Sequence, residues 1–204
     1  MPTTRSASRR SERWNRRGDR RRHPPRSPEE IDALVAIDDD ACTLDAEAGL
    51  VVAFDASHPF VVGERVRWVA AIAGRLLEVA EAPDGTLAGF AARGIVDGEP
   101  YLDQLSVRRA WMRRGIGTSL LRRAIAWAAA DSSGRLWLTT WAHVPWNAPF
   151  YARHGFVAYP EAACGPELRA ILRRQREVLP DPDRRIAMVH PGGGATPRGS
   201  RARS

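Results

Sequence analysis

The order of apolar and polar residues predicts a regular succession of helices and strands between positions 28 and 190. Apolar residues that recur every three or four positions predict helices from the capping signal at 27–30 onward and over 59–73, 115–130, 145–153 and 167–178. Short alternating or continuous apolar runs predict strands over 76–82, 86–96, 99–107, 135–141, 156–159 and 185–190. We find no internal repeat, and 204 residues suffice for one domain with a real core.

Turn signals set the expected connections between these strands. The turn residues at 83–85 and 97–98 link the first three strands into an antiparallel meander. The strand over 101–107, the helix over 115–130 and the buried strand over 135–141 form a βαβ unit, whose two strands are parallel. The expected fold class is therefore α/β, more closely α+β, with a mixed and mostly antiparallel central sheet flanked by helices.

A glycine turn joins the strand over 101–107 to the following helix, and it predicts the cofactor. Gly115 and Gly117 let a ligand approach the backbone, and the first N–H groups of the helix point outward there. Arg113 and Arg114 add charge-assisted donors that suit phosphate, and the helix dipole favours negative charge. The turn therefore predicts a phosphorylated cofactor. A dinucleotide fold is disfavoured because Leu120 occupies the place of the third glycine in its fingerprint.

Composition changes this picture mainly at the two ends of the chain. All 31 basic residues are Arg, which excludes a Schiff-base lysine and the lysine of a P-loop. Segments 1–28 and 191–204 carry net charges of +8 and +3, which leaves −4 of the total of +7 for the domain over 29–190. We expect both segments to be disordered, solvated tails. The alternative is contact with nucleic acid, which is disfavoured because Trp14 is the only Trp, Tyr or Phe in either segment.

Cysteine content and apolar runs bear on the compartment and on metals. Cys42 and Cys164 lie far apart and show neither a disulfide framework nor a metal-ligand spacing, which indicates a reduced, cytoplasmic protein without a bound metal. No apolar run approaches the roughly 18 residues of a membrane span, and none follows the Arg-rich start as in a secretory signal. The richness in Arg and Ala is typical of a GC-rich bacterial genome.

Carboxylates are the first candidates for amine binding and proton transfer. Asp103 and Gln104 lie on opposite faces of the predicted central strand, so only one of them can face a cleft. Asp103 is our candidate base or ammonium contact, and a solvent-facing carboxylate is the alternative. The carboxylates at 38–40 splay around a helix and cannot converge on a metal. We expect a solvated helix end there, with Asp39 or Asp40 available to contact a cationic substrate.

Other polar and aromatic candidates follow the second parallel strand. His143 lies near the expected mouth of the cleft, where it is a second candidate base or a surface residue. Trp141 and Trp146 either line an acceptor pocket or pack in the core. Spacing alone makes Tyr151 a core aromatic of a short helix, and Asn147 a residue at its amino terminus.

Two segments resemble the GNAT family of N-acetyltransferases: L-S-V-R-R-A-W-M-R-R-G-I-G-T-S-L-L at 105–121 and N-A-P-F-Y-A-R-H-G-F at 147–156. The resemblance covers about 29–190 in element order, and its specific motifs lie at 101–121 and 145–156. The family's turn motif is Gln/Arg-x-x-Gly-x-Gly/Ala, and Met112 departs from it at the first place. The family's first strand would fall on G-D-R-R-R-H-P-P-R at 18–26, which makes a poor strand.

The resemblance implies an acyl-CoA N-acyltransferase fold with acetyl-CoA as cosubstrate. The strands over 101–107 and 135–141 would splay apart to admit the thioester. The pantetheine arm would pair like an added strand with Leu105, Ser106 and Val107. Asn147 would hydrogen-bond the arm, and Tyr151 would sit near the sulfur. The pyrophosphate would bind the backbone N–H groups of the turn residues, which are Arg113, Arg114, Gly115, Ile116, Gly117 and Thr118.

The implied activity is direct acetyl transfer to a primary amine within a ternary complex. Asp103 is the candidate that takes a proton from the bound ammonium, Tyr151 protonates the coenzyme A thiolate, and an N–H near Val107 polarises the carbonyl. The acceptor is a small-molecule or peptide amine, and the acidic domain favours a cationic small molecule. Alternatives are a non-catalytic acyl-CoA sensor and a nucleic-acid-binding protein that acts through its Arg-rich tails. An exposed edge strand or the C-terminal strand could build a homodimer.

Overall fold

The computed structural model describes residues 28–51, 54–131 and 133–192. The weak strand segment at 18–26 and nearly all of both predicted tails lie outside these described residues. The strands of the described part are β1 (Leu77–Glu81), β2 (Leu87–Val96), β3 (Glu99–Val107), β4 (Leu136–Trp141), β5 (Val157–Tyr159) and β6 (Arg185–His190). Its α-helices are α1 (Pro28–Glu47), α2 (Pro59–Ala73), α3 (Ile116–Ala128), α4 (Ala148–Ala152) and α5 (Pro166–Val178).

The six strands form one mixed sheet in the order β1-β2-β3-β4-β6-β5. Strands β1 to β3 are an antiparallel meander, β3 and β4 are parallel, and β6 runs antiparallel to both β4 and β5. The predicted fold class is therefore confirmed. Tyr101 opposite Trp137 is the only register pair between β3 and β4. Beyond it the strands are unpaired, which leaves an open seam between their carboxyl-terminal halves, as the predicted splay requires.

Helix α3 covers one face of the sheet, which we call the α3 face. Its buried residues recur at helical spacing and pack against Leu102, Leu138 and Met188 of the strands. Each fully buried large apolar side chain contributes about 1.5–3 kcal/mol to the free energy of unfolding, so this contact fixes the helix on the sheet. The buried residues of α3 are Ile116, Leu120, Leu121, Ala124 and Ala128.

Helices α1, α2 and α5 cover the opposite face, which we call the α1 face. Helices α1 and α2 pack over β1 and β2, around Trp68 and Phe90. Helix α5 packs over β3, β4 and β6, where Leu168 and Leu172 belong to the same buried cluster as Tyr101. Because these helices cover different strands, the region where β3 and β4 separate lies between them.

A bulge in β3 changes which residues face α1. Ala92 lies opposite Gln104 and Arg93 lies opposite Leu102, so Asp103 is an extra residue without a partner in β2. Side chains otherwise alternate along a strand, so the extra residue places Leu102 on the α3 face and Gln104 on the α1 face. Asp103 also reaches the α1 face, where it contacts α2. The prediction that only one of Asp103 and Gln104 can face the cleft is therefore wrong.

The predicted elements over 59–73, 99–107 and 185–190 are confirmed residue for residue, and the others differ at their ends. Helix α1 continues to Glu47, beyond the three carboxylates at 38–40. Helix α4 begins only at Ala148, because Asn147 has a φ of −103° and a ψ of −112°, which are not helical values. Cys42 and Cys164 are free thiols. No helix in the described ranges has the length and apolar character needed to cross a membrane.

Candidate active site

The glycine turn lies between β3 and α3 and fits a phosphate group. Gly115 caps α3 with a left-handed φ of 88°, which glycine adopts without a steric penalty. Ser119 N donates to Gly115 O, so the N–H groups of 116–118 precede the internal hydrogen bonds of the helix. A Cβ built on Gly117 would make only an ordinary contact with Val107 Cγ2, at 3.6 Å, and without a side chain there these N–H groups lie in a shallow, open cradle. Such a cradle, at the positive end of the helix dipole, suits an anion.

Two arginines precede this cradle, as the sequence predicts. Arg113 has a left-handed φ of 58°, an uncommon conformation for a residue with a Cβ. The guanidinium of Arg114 lies 4.7 Å from the ring centroid of Trp111, a cation–π contact that holds it beside the turn. Contact of these side chains with a phosphate stays a prediction.

The carboxyl-terminal half of β3 forms one edge of the seam. Leu105 and Val107 pack toward the α3 face, on the same side as the glycine turn. Ser106 points to the opposite face, where its side chain is buried. Because β4 leaves β3 after Tyr101, the seam edge of this segment has no strand partner. An extended amide-containing ligand could pair with it as an added strand.

Helix α4 supplies Asn147 and Tyr151. Asn147 is the N-cap residue of α4, yet its side chain makes no capping hydrogen bond and is half-buried. The ring of Tyr151 makes edge contacts with Phe150 and Phe156. Burial raises the pKa of the Tyr151 phenol, against the opposing effect of the Arg185 charge. The phenol is therefore protonated at neutral pH and available as a proton donor.

Asp38 lies against β3 and is part of the site that sequence reasoning missed. Its Oδ1 accepts hydrogen bonds from Gln104 Nε2 at 2.6 Å and from Ser106 Oγ at 2.5 Å. Burial raises the pKa of Asp38 to about 6, although these two hydrogen bonds oppose the shift. Asp40 is also engaged, because it accepts from Arg109 N at 2.7 Å. The prediction of a helix end at 38–40 is therefore wrong, because α1 continues to Glu47 and places Asp38 against β3 and Asp40 against Arg109, just after that strand. Asp39 is exposed to solvent, as predicted.

Asp103 and Glu64 lie near each other on the α1 face, and we call them the acidic pair. Both carboxylate oxygens of Asp103 accept from Arg67 Nε, at 3.1 and 3.0 Å. Glu64 lies one turn earlier on α2, with Oε1 at 3.9 Å from Arg67 Nη2. Burial raises the pKa of Asp103 against the effect of Arg67. Burial, with the charges of Asp38 and Asp103, raises the pKa of Glu64 to about 8.

Glu64 carried no signal that sequence reasoning used. It is a single carboxylate in the apolar stretch V-V-G-E-R-V-R-W at 61–68, which predicts only an amphipathic helix. Its place opposite Asp103 depends on how α2 crosses β3, and helical periodicity does not contain that information.

The remaining candidates divide between the surface and the α1 face. His143 Nε2 lies 3.2 Å from Asp181 Oδ2, and its side chain is 38% exposed, so its contact is with a surface loop rather than with the acidic pair. Trp146 Nε1 donates to Asp45 Oδ1 at 2.8 Å. Trp141 packs against Val144 and under the guanidinium of Arg185. Both tryptophans therefore lie beside charged groups of the α1 face.

The two sides of the seam differ in the ligands that they suit. The α3 face offers backbone N–H donors, which suit phosphate. The α1 face offers Asp38, Glu64 and Asp103, which suit an ammonium group and can accept its proton. Tyr151 interacts electrostatically with Tyr101 and Arg185, which belong to the α1 face. No group of three or more side chains suited to a metal ion occurs within the described ranges.

A profile of the acetyltransferase (GNAT) family matches residues 22–156 of the chain. Among solved structures, the PaiA N-acetyltransferase from Thermoplasma acidophilum, in complex with coenzyme A, is 17% identical, with a TM-score of 0.54 over 84% of this chain and 97% of that chain. An acetyltransferase from Streptococcus agalactiae is 14% identical, with a TM-score of 0.59 over 83% of this chain and 95% of that chain.

A third similar structure belongs to a much longer protein. N-acetylglutamate synthase from Neisseria gonorrhoeae, in complex with coenzyme A and N-acetyl-glutamate, is 20% identical, with a TM-score of 0.54 over 83% of this chain. The match spans only 34% of the synthase. At identities this low, the likeness establishes a common fold, and the predicted acyl-CoA N-acyltransferase fold is confirmed.

Proposed function

This chain belongs to the GNAT family of acetyltransferases, and on that basis we propose that it transfers an acetyl group from acetyl-CoA to a primary amine within a ternary complex. The observation that carries the proposal is the seam between β3 and β4, which joins a phosphate cradle on one face to carboxylates on the other. The cosubstrate supplies the activated thioester. The acceptor is a small-molecule or peptide amine.

The cosubstrate is held mainly by backbone groups in this proposal. The N–H groups of 113–118 bind the pyrophosphate, since they lie at the positive end of α3. Residues 105–107 pair with the pantetheine arm along the seam. The side chain of Asn147, which makes no capping hydrogen bond in α4, donates a hydrogen bond to the arm. The thioester then lies in the seam, between the turn and the carboxylates. Holding it against the amine supplies a large part of the rate gain.

The proton of the acceptor ammonium goes to a carboxylate of the α1 face. Asp103 is our candidate base, and Glu64 stands beside it as a second one. Burial raises the pKa of both carboxyl groups toward the range in which a base works best at neutral pH. The free amine attacks the thioester carbon, a C–N bond forms and the C–S bond breaks.

The departing thiolate takes its proton from Tyr151 in the same scheme. Arg185 lies within electrostatic range of Tyr151, and its positive charge stabilises the phenolate that proton transfer leaves behind. The second proton of the acetylated nitrogen then restores the phenol. We expect Tyr151→Phe to lower kcat by about 100-fold or more with little change in the affinity for acetyl-CoA. Tyr159→Phe, on β5, is the matched control and should leave kcat unchanged. An unchanged kcat in Tyr151→Phe would remove Tyr151 from the mechanism.

Thermal unfolding of the full chain with acetyl-CoA, coenzyme A, NAD and ATP tests the cofactor assignment. A ligand at 100 times its Kd adds about 2.7 kcal/mol, which raises Tm visibly. We expect a shift with acetyl-CoA and coenzyme A only, and its loss in Gly117→Glu. Gly94→Glu is the control, because a Cβ there meets nothing within 4 Å. The absence of a shift with acetyl-CoA would refute the proposal, and a shift without thiol release on any amine would indicate an acyl-CoA sensor.

A further inference from the structure

Arg185 is a buried arginine on the α1 face. It is the first residue of β6 and lies opposite Trp141, and only 6% of its surface is exposed. Its guanidinium carbon lies 4.5 Å from the ring centroid of Trp141. Its Nη2 donates to Gln175 Oε1 at 2.7 Å and lies 3.5 Å from Thr139 Oγ1. The position of this guanidinium is therefore fixed by strand β6, by the ring of Trp141 and by Gln175 of α5.

The guanidinium lacks a carboxylate partner within the described ranges. No salt bridge involves Arg185 there, and its Nε is buried without a hydrogen-bond partner. By contrast, Arg67 on the same face pairs with Asp103 at 3.0 Å, although its side chain is 42% exposed. Burial lowers the pKa of Arg185 to about 10, so the group stays charged at neutral pH. An unpaired buried cation is costly, which indicates that a bound anion completes this site.

The unpaired guanidinium shares its surroundings with the groups of the proposed acetyl transfer. Its charge acts on Tyr101, Tyr151 and Asp45, and it also lowers the pKa of Glu64. Tyr101 OH lies 3.0 Å from Thr139 Oγ1, so the hydroxyls of β3 and β4 bridge the space between Arg185 and the start of the seam. A ligand that reaches Arg185 therefore lies on the same face as the carboxylates that receive the amine.

We propose that Arg185 binds a carboxylate of the acceptor, so that the acceptor is an amino acid or another small amine that carries a carboxylate. The assignment rests on the proposed function, and it names the acceptor class of that same site. The carboxylate pairs with the guanidinium of Arg185 from the side of the seam, while Nη2 remains with Gln175. The ammonium of the same molecule faces Asp103 and Glu64. Opposite charges at the two ends of the site match a zwitterion, and a simple cationic amine leaves the arginine unpaired.

Acetylation of matched acceptors by the full chain tests this assignment. The panel contains the standard L-amino acids, the primary amide of each, and the amine that remains when the carboxylate is removed. Thiol release from acetyl-CoA is the readout, and kcat/KM is compared within each matched set. We expect at least one amino acid to be acetylated, with kcat/KM about 10- to 100-fold above its amide and its amine, as for loss of a hydrogen bond to a charged group.

The variant Arg185→Met separates a binding role from a structural one. It should abolish the preference for the acid over the amide and raise KM for the acid about 10- to 100-fold, with a smaller change for the amide. Arg173→Met, an exposed position on α5, is the matched control. Arg185→Lys keeps the charge and provides a second variant if the methionine variant unfolds, and it should restore part of the preference.

Each result bears on one of the two proposals. Equal kcat/KM for acids and amides, or a variant that lowers both alike, would overturn the carboxylate assignment and leave the acetyltransferase standing. Acetylation of amines that lack a carboxylate, with none of the amino acids, would do the same. If the protein binds coenzyme A but no member of the panel causes thiol release, both the carboxylate assignment and the proposed acetyl transfer would be refuted.

Discussion

The substitution Glu64→Gln tests the electrostatics of the acidic pair through stability. Glu64 lies on α2 with its side chain 19% exposed, between the charges of Asp38, Asp103 and Arg67. Burial is the largest cause of its raised pKa, and Asp38 and Asp103 add to it. Glutamine keeps the size and polarity of the side chain and cannot ionise. The variant therefore removes the cost of the charged form and little else.

The magnitude follows from the difference between the folded and unfolded pKa of this group. Its ordinary value is 4.5, and in the folded protein it is about 8. The folded state thus holds the proton more tightly than the unfolded state does. The contribution of protonated Glu64 to the free energy of unfolding is therefore complete below pH 4.5 and is lost as the pH rises through about 8. At about 1.4 kcal/mol for each pH unit, the loss approaches about 5 kcal/mol. Solvent near the side chain reduces it, and we expect about 2–5 kcal/mol.

Urea unfolding at pH 5 and pH 8.5, followed by tryptophan fluorescence, measures this effect. We expect Glu64→Gln and the unchanged protein to have similar free energies of unfolding at pH 5 and the variant to be more stable by about 2–5 kcal/mol at pH 8.5. Glu177→Gln, at an exposed position of α5, is the control and should show no such dependence. A difference between variant and unchanged protein that is the same at both pH values would refute the reasoning.

Three further predictions concern the turn and the packing of the helices. Gly115→Ala forces a Cβ into a left-handed conformation and should cost about 1–2 kcal/mol in thermal unfolding, and an unchanged Tm would show that the turn relaxes. Asp97→Ala removes the carboxylate that accepts from the first N–H groups of α5, and should cost about 0.5–2 kcal/mol in urea. Equal stability of Asp97→Asn would show that the amide oxygen suffices. Leu172→Ala should cost about 2–5 kcal/mol, because that side chain is fully buried, and a loss below about 1 kcal/mol would contradict its place in the core.

Local sequence determined the order of elements and the glycine turn of the candidate site. Helix α2 and strands β3 and β6 agree with their predicted bounds, because apolar periodicity and flanking turn residues are short-range properties. The glycine turn was predictable for the same reason. Its strand, its left-handed Gly115 and the first turn of α3 are consecutive in the chain, so backbone chemistry alone fixes the orientation of the N–H groups. The GNAT resemblance rests on this consecutive segment.

Tertiary structure decided the cluster of carboxylates on the α1 face. Asp38 meets Ser106 across 68 positions, and Arg67 meets Asp103 across 36. Neither pairing leaves a mark in local periodicity, since each depends on how a helix crosses the sheet. The bulge at Asp103 cannot be predicted from the sequence pattern either, because one extra residue in a strand requires no particular residue type. It nevertheless turns Gln104 toward α1.

Arg185 illustrates most plainly why the sequence alone could not identify these groups. In the sequence it is one arginine among 31, at the start of a correctly predicted strand. Arg185 becomes a candidate for anion binding only because it is buried over Trp141 and has no carboxylate beside it in the described part of the chain. Backbone hydrogen bonding and side-chain periodicity are encoded locally, and the sequence determines them. The pKa of a carboxylate and the pairing of a buried charge depend on the groups and the solvent around them, and only the folded chain defines those surroundings.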